Sequence, residues 1–473
     1  MRALRTLNPV RLRDTRTEGG NHRLGVAAFS VALFGVIVEY VLSGNSLADL
    51  GIDYSSPGGN PAVKLHPATY LIMLATAMAL LFVRPAGAGV VRLFRQKPAL
   101  ASYITLVLFC AFYSIANVGI SGAAVYVESY LAAGLLAVVL EGGTDRQKRT
   151  LAWWIIGLTV LSVFISIWES ITQTHLIPLN FGDLPEKAMQ QDVEEFRGAG
   201  LFTHPLTAAL ADSMAVFLLL RMRMHGLLKA ALFTILVIGL LSFGGRAAMG
   251  TTLLLLVGAS FVVLVRGIVR RDLSLSFVGT LIAALLILPP LIILLVTSTD
   301  IGERIITHLY ADESVKARDL QWLVLNHLNM KDVLFGVPMQ RLDVLKYQIG
   351  LGAETTDIEN FWLLMFLNLG IIGFMVFLVA LGLFLAHLGR TVRHPLGWMM
   401  IFASILIDST SNSLGRKSPD LVFMTACLIA MTGYAHAASP VLSLRQRANA
   451  GVQRASRRLR LSPSPVNIAG LKP

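Results

Sequence analysis

Runs of mostly apolar residues, each of about twenty residues, recur along nearly the whole chain, and a helix needs that length to cross a hydrocarbon core. They fall at 23–42, 67–83, 99–118, 122–140, 150–170, 205–220, 230–242, 247–265, 275–297, 359–385, 395–412 and 419–437. Composition agrees: 55% of the 473 residues are hydrophobic and 14% are charged, against about a quarter charged in a soluble domain. The reading is an all-α, polytopic membrane protein of about twelve transmembrane helices. Residues 1–437 form a single transmembrane domain, and 438–473 form a basic cytoplasmic tail.

Within this pattern the breaks carry information. Gly119 and Gly122 leave room for a tight hairpin between two spans. The run 230–242 is too short to cross unaided and stops at Ser242-Phe-Gly-Gly-Arg246. Such an interruption is tolerated in a membrane beside protein or a water-filled cavity. Pro289-Pro290 is expected to kink the run 275–297.

Lys and Arg set the orientation. With the N-terminus inside, 28 of the 40 fall in cytoplasmic segments. Both termini are therefore expected in the cytoplasm, and the two longer loops, 171–204 and 298–358, on the opposite side of the membrane. The net charge of +12 follows from that topology, and the basic ends suit anionic membrane lipid rather than nucleic acid. Cys110 and Cys427 lie inside apolar runs and form no disulfide framework.

An ionisable group inside a membrane is a functional hypothesis by default. Glu39, Glu128, Glu169, Asp212, Arg246 and Asp408 all lie in the outer halves of their runs. That one-sided distribution suits an enzyme working at the outer surface. A transporter needs polar groups at the midplane and a path to both sides. The loop 171–204 ends in Arg197-Gly-Ala-Gly-Leu-Phe-Thr-His204-Pro205 and runs directly into a span. The loop 298–358 is expected to hold an amphipathic helix from about Asp312 to Met330, with Leu320, Leu323, Val324, His327 and Leu328 on one face and Arg318 one turn from Trp322. It closes on Asp357-Ile-Glu359-Asn360.

Four segments together resemble the O-antigen ligase and polymerase superfamily, bacterial membrane glycosyltransferases that act on undecaprenyl-diphosphate-linked saccharides. Arg197 to Pro205 is similar to that family's Arg-x-x-Gly-Leu-Phe-x-His-Pro entry to a span. Ser242-Phe-Gly-Gly-Arg246-Ala resembles its Ser-Arg-Gly/Ala turn between paired helices. Glu359-Asn360-Phe-Trp-Leu363, with Gly370-Ile-Ile-Gly373 beyond it, follows its His-Asn-x-x-Leu pattern. Arg318-Asp-Leu-Gln-Trp322, with Phe335-Gly-Val-Pro338, is similar to the segment before that motif. The ligases carry a His where this chain has Glu359, which favours a polymerase over a ligase.

The resemblance implies transfer of a sugar from undecaprenyl diphosphate. Arg197 and Arg246, with Glu359, would be catalytic, because guanidiniums suit a diphosphate leaving group and a carboxylate suits a general base. Arg318, His204, Asn360 and Asp357 would bind the lipid diphosphate or glycan. His204 can equally hold its loop turn, and Glu359 and Asn360 can cap the following helix. Asp357 and Glu359 could instead share a divalent cation; metal-independent chemistry is the expectation. No nucleotide-binding loop, zinc cluster or nucleophile elbow is present in the sequence, and no cofactor is expected. Partners would be the lipid-linked oligosaccharide, membrane lipids and other polysaccharide-assembly membrane proteins. A ligase and a lipid-linked oligosaccharide or polysaccharide transporter are the competing functions.

Overall fold

The computed structural model describes residues 15–52, 54, 61–82, 85, 87–178, 196–270, 320–350, 358, 360–411 and 417–435. The chain divides into units 1–433 and 434–473; the first is the helical bundle. Its elements are α1 (Thr15–Val41), α2 (Gly44–Asp49), α3 (Pro67–Leu80), α4 (Ala88–Gln96), α5 (Pro98–Val118), α6 (120–141), α7 (Asp145–Thr172), α8 (Pro205–Arg221), α9 (Gly226–Ser242) and α10 (Arg246–Arg270). They continue as α11 (Met330–Phe335), α12 (Met339–Gln348), α13 (Phe361–Val392), α14 (Pro395–Ser411) and α15 (Asp420–Thr432). Among the described residues the fold is entirely helical.

Five stretches are long and apolar enough to cross a membrane: His22–Val41, Pro98–Ile115, Gly122–Glu141, Asp145–Thr172 and Phe361–Val392. Five shorter apolar helices, of 10–17 residues, accompany them. α8 differs from both sets, being buried on nearly every side from Ala208 to Leu219. The expected run 275–297, with its Pro289-Pro290 kink, lies outside the described residues. Large apolar side chains such as Phe34, Leu74, Phe112, Phe164, Leu254 and Phe402 face outward. An apolar exterior of this kind is what a membrane-embedded bundle presents to lipid.

Contacts between segments distant in sequence sort into two sets, one at each end of the bundle. At one end Gly44 N–H donates to Thr203 Oγ1 at 3.0 Å, Ser166 Oγ meets Ser242 Oγ at 3.0 Å, and Ser418 N–H donates to Ser129 Oγ at 2.9 Å. At the other end Glu141 is clamped between Lys97 and His387, each at 2.6 Å. Gly119, at φ +85°, makes the turn from α5 into α6. Tyr103 then reaches across to donate to the Tyr130 carbonyl at 2.7 Å, as the expected hairpin requires.

The expected span 359–385 is not one straight helix. Gly370 in α13 has φ 60° and ψ 178°, a conformation essentially confined to glycine. In a continuous helix Phe361 and Phe377 would stand about 24 Å apart; their rings are centred 6.1 Å apart. Phe366 and Phe374 flank the break at the same 6.1 Å. The short arm 361–369 therefore folds back along the long arm 371–392. The backbone of Leu334 and Gly336 packs against Gly370, and Val337 N–H donates to the Leu367 carbonyl at 2.6 Å. Val324, Val337, Leu342, Leu345, Ile349 and Ile358 cover the Leu363 and Leu367 side of this arm.

The expected amphipathic helix ending near Met330 is also corrected where it is described. Residues Trp322–His327 wind as a 3₁₀ helix, and Asn329 starts a new helix with a capping box to Asp332. Three residues per turn put Gln321 and Val324 on one side, and both are fully buried. Leu320 and Leu323, expected on the buried face, are exposed.

Candidate functional site

The segment that carries Arg197 is pinned to α7 by its backbone. Ala199 and Gly200 N–H donate to Glu169 Oε2 at 2.8 and 2.9 Å, and Leu201 N–H donates to Ser162 Oγ at 3.1 Å. The two glycines make this possible. A Cβ at Gly198 would stand 2.7 Å from the Ser166 carbonyl, and one at Gly200, where φ is +61°, 2.6 Å from that of Ser162. Glu169 thus anchors three backbone amides, since Leu176 N–H also donates to its Oε1 at 2.9 Å. This use of Glu169 was not foreseen from its position in the span.

Arg246 opens α10 and is exposed. The turn before it bends at Gly244, φ +66°, and Gly245 packs on Ala209, so close that a Cβ would be 2.5 Å from the Ala209 methyl. Ser166 joins the two segments: Gly198 lies against it, and its hydroxyl bonds Ser242 at 3.0 Å. Arg197 and Arg246 therefore extend from neighbouring segments at one end of the bundle.

His204 is the N-cap of α8, its Nδ1 accepting Leu206 N–H at 3.2 Å, with Pro205 in the first turn. The carbonyl of Thr203 accepts the Asn45 side-chain amide at 3.0 Å. The same His-Pro start recurs twice: His66 Nδ1 faces Ala68 N–H and His394 Nδ1 faces Leu396 N–H, each at 3.2 Å. His394 stands at the opposite end of the bundle, so this dipeptide acts first as a helix-starting device.

Asn360 caps α13, its Oδ1 accepting Leu363 N–H at 3.1 Å, while its own N–H donates to Gln321 Oε1 at 3.1 Å. Because the short arm folds back, its N-terminus lies beside Phe377, which is seven residues of helical rise, about 10 Å, down the long arm from Gly370. Trp362 Nε1–H donates to Ser409 Oγ on α14 at 2.8 Å, and α14 packs against α8 and α10. Arg318, Asp357 and Glu359 lie outside the described residues.

A second polar cluster escaped the sequence reading. α6 winds as a π-helix over Tyr126–Leu131, which holds Glu128. Tyr54 O–H and His66 N–H both donate to its carboxylate. His66 Nδ1 is 3.3 Å from Glu39, and its Nε2 meets the Leu42 carbonyl. Lys417 lies 4.5 Å from the Tyr54 ring centre and donates to the carbonyls of Tyr54 and Lys64 at 2.9 Å. Burial opposes a charge on His66, but Glu39 outweighs it and holds the imidazole pKa up at about 9. Glu39 and Glu128 were legible as buried outer charges; His66, Tyr54 and Lys417 come from short loops with no periodic signal.

The architecture defines a class, an all-helical membrane-embedded bundle with a polar junction at one end. No family model, curated protein or solved structure matches the chain.

Proposed function

We propose that this protein is a bacterial inner-membrane glycosyltransferase that polymerises undecaprenyl-diphosphate-linked repeat units of an exopolysaccharide or O-antigen. About twelve spans would place both termini in the cytoplasm and the site at the periplasmic face. The observation that carries this reading is the meeting of the segments of Arg197 and Arg246 through Ser166 and Ser242, at the same end as the capped, folded-back arm that starts at Asn360. These are three of the four segments on which the family resemblance rests.

In the proposed reaction the acceptor hydroxyl oxygen of one lipid-linked unit attacks the anomeric carbon of another. The bond from that carbon to the diphosphate oxygen breaks, and undecaprenyl diphosphate leaves with the electron pair. Arg197 and Arg246 stabilise the growing charge on the diphosphate, each charge-assisted bond contributing about 1.5–3 kcal/mol. Arg318 adds a third guanidinium. Glu359 takes the hydroxyl proton. Asn360, Asp357 and His204 orient the lipid-linked unit.

Lipid-linked species in cells provide the test. Arg197→Ala and Arg246→Ala should each leave single unpolymerised repeats on lipid while the protein stays in the membrane, and Lys should rescue poorly because it lacks the fork. Glu359→Gln should lower the rate roughly 10²-fold or more, and activity should persist in chelator. Finished chains accumulating on lipid would identify a ligase instead. Retention of units on the inner leaflet would identify a transporter. Normal chain lengths in Arg197→Ala would remove the arginine from the reaction.

A further inference from the structure

At the end opposite this junction, α4 connects α3 to α5 and is too short to cross anything. Its nine residues divide into three faces at helical spacing. Gly89 and Leu93 are buried against the bundle. The approach is close: a Cβ on Gly89 would lie 2.6 Å from the Leu80 backbone. Val91 and Phe94, three residues apart, are 52% and 55% exposed. They continue an apolar exterior that includes Leu81 and Phe82, 53% and 62% exposed. Arg92 and Arg95, also three apart, form the remaining exposed face. Lys97, just beyond, is held by Glu141 at 2.6 Å. Neither Arg92 nor Arg95 meets an acidic side chain among the described residues.

A short helix with one face on the protein, an apolar face outward and a basic face beside it has the design of an interfacial helix. Its apolar face continues the lipid-facing surface, so its depth is set by the acyl boundary. Its arginines then stand at headgroup level. Arginine forks match phosphate oxygens, and two guanidiniums one turn apart, with no acidic partner among the described residues, leave a positive site.

We propose that α4 is a binding surface for the headgroup of an anionic phospholipid, with Arg92 and Arg95 on the phosphate and Val91 and Phe94 among the acyl chains. This site is independent of the glycosyltransferase reading. It predicts that the α4 end faces the leaflet richer in anionic lipid, which is the cytoplasmic one.

Photo-crosslinking on the full chain in mixed phospholipid vesicles tests it. The probes are diazirine-labelled phosphatidylglycerol and its phosphatidylcholine twin, read by which peptide carries the label. Peptide-level readout separates α4 from the basic tail. The phosphatidylglycerol probe should label the 88–97 peptide well above the phosphatidylcholine probe. Arg92→Gln/Arg95→Gln should reduce that excess by roughly 30-fold, at about 1 kcal/mol per arginine near an anionic surface. Arg92→Lys/Arg95→Lys should retain most of it, showing that loss in the glutamine variant is loss of charge and not of fold. Val91→Ser/Phe94→Ser should lower labelling by both probes alike. Equal labelling of the peptide by the two probes, or an unchanged excess in the glutamine variant, would overturn the assignment.

Discussion

His66 shows how one side chain can answer to two partners. Its Nδ1 lies 3.2 Å from Ala68 N–H and 3.3 Å from Glu39 Oε2. One lone pair cannot accept from the first while a proton is donated to the second. The neutral ring therefore caps α3, and the imidazolium bonds Glu39. With its folded pKa raised to about 9 from an ordinary value of about 6.5, the imidazolium is the form present at neutral pH. The sign follows from proton linkage. The stabilisation is complete below about pH 6.5 and is lost as pH rises through about 9, by roughly 3 kcal/mol at 1.36 per pH unit. Thermal unfolding of the detergent-solubilised protein should thus fall in temperature between pH 7 and 10. His66→Gln should unfold at lower temperature at pH 7 and lack that slope; a variant with the full slope would assign the pH dependence elsewhere.

Among the elements, α13 departs furthest from its expected form. A 32-residue apolar helix reads as a single long span, and only one backbone angle at Gly370 makes it two arms. The fold-back has a direct check. With Cys110 and Cys427 replaced by Ala, Phe361→Cys and Phe377→Cys should join readily through a short bifunctional thiol reagent. A straight helix would hold these thiols about 24 Å apart and give no cross-link. Adding Gly370→Ala should suppress the cross-link, because a Cβ there would strike the Leu334 carbonyl carbon and its oxygen, each 2.5 Å away. The arm turns a helix N-terminus, capped by Asn360 and carrying the positive end of the helix dipole, toward the bundle.

For the molecule as a whole, the two ends are chemically unlike. One carries the Arg197–Arg246 junction and the cluster around Glu128, His66 and Lys417. The other carries the Lys97–Glu141–His387 clamp and the basic face of α4. On the proposed orientation, single cysteines at positions 174 and 340 should react with an impermeant thiol reagent added to intact spheroplasts, and one at position 146 only after lysis. Labelling of position 340 only after lysis would invert the orientation and remove the periplasmic mechanism.

What the sequence determined by itself follows from short-range physics. Run length and apolarity mark out helices, so the expected runs 99–118, 205–220 and 247–265 fall within one to five residues of the helices Pro98–Val118, Pro205–Arg221 and Arg246–Arg270. Glycine and proline mark turns, so the Gly119 hairpin and the Pro205 helix start were legible. Only the tertiary structure decided which polar groups share a junction. Ser166 and Ser242 are 76 residues apart, and Tyr54 and Glu128 are 74 apart; no local pattern encodes such a pairing. The fold-back at Gly370 was equally hidden, because glycine inside an apolar run also fits a straight helix. What bends it is the close approach of Gly336, from a loop 34 residues earlier in the chain, together with the Val337 amide that satisfies the Leu367 carbonyl.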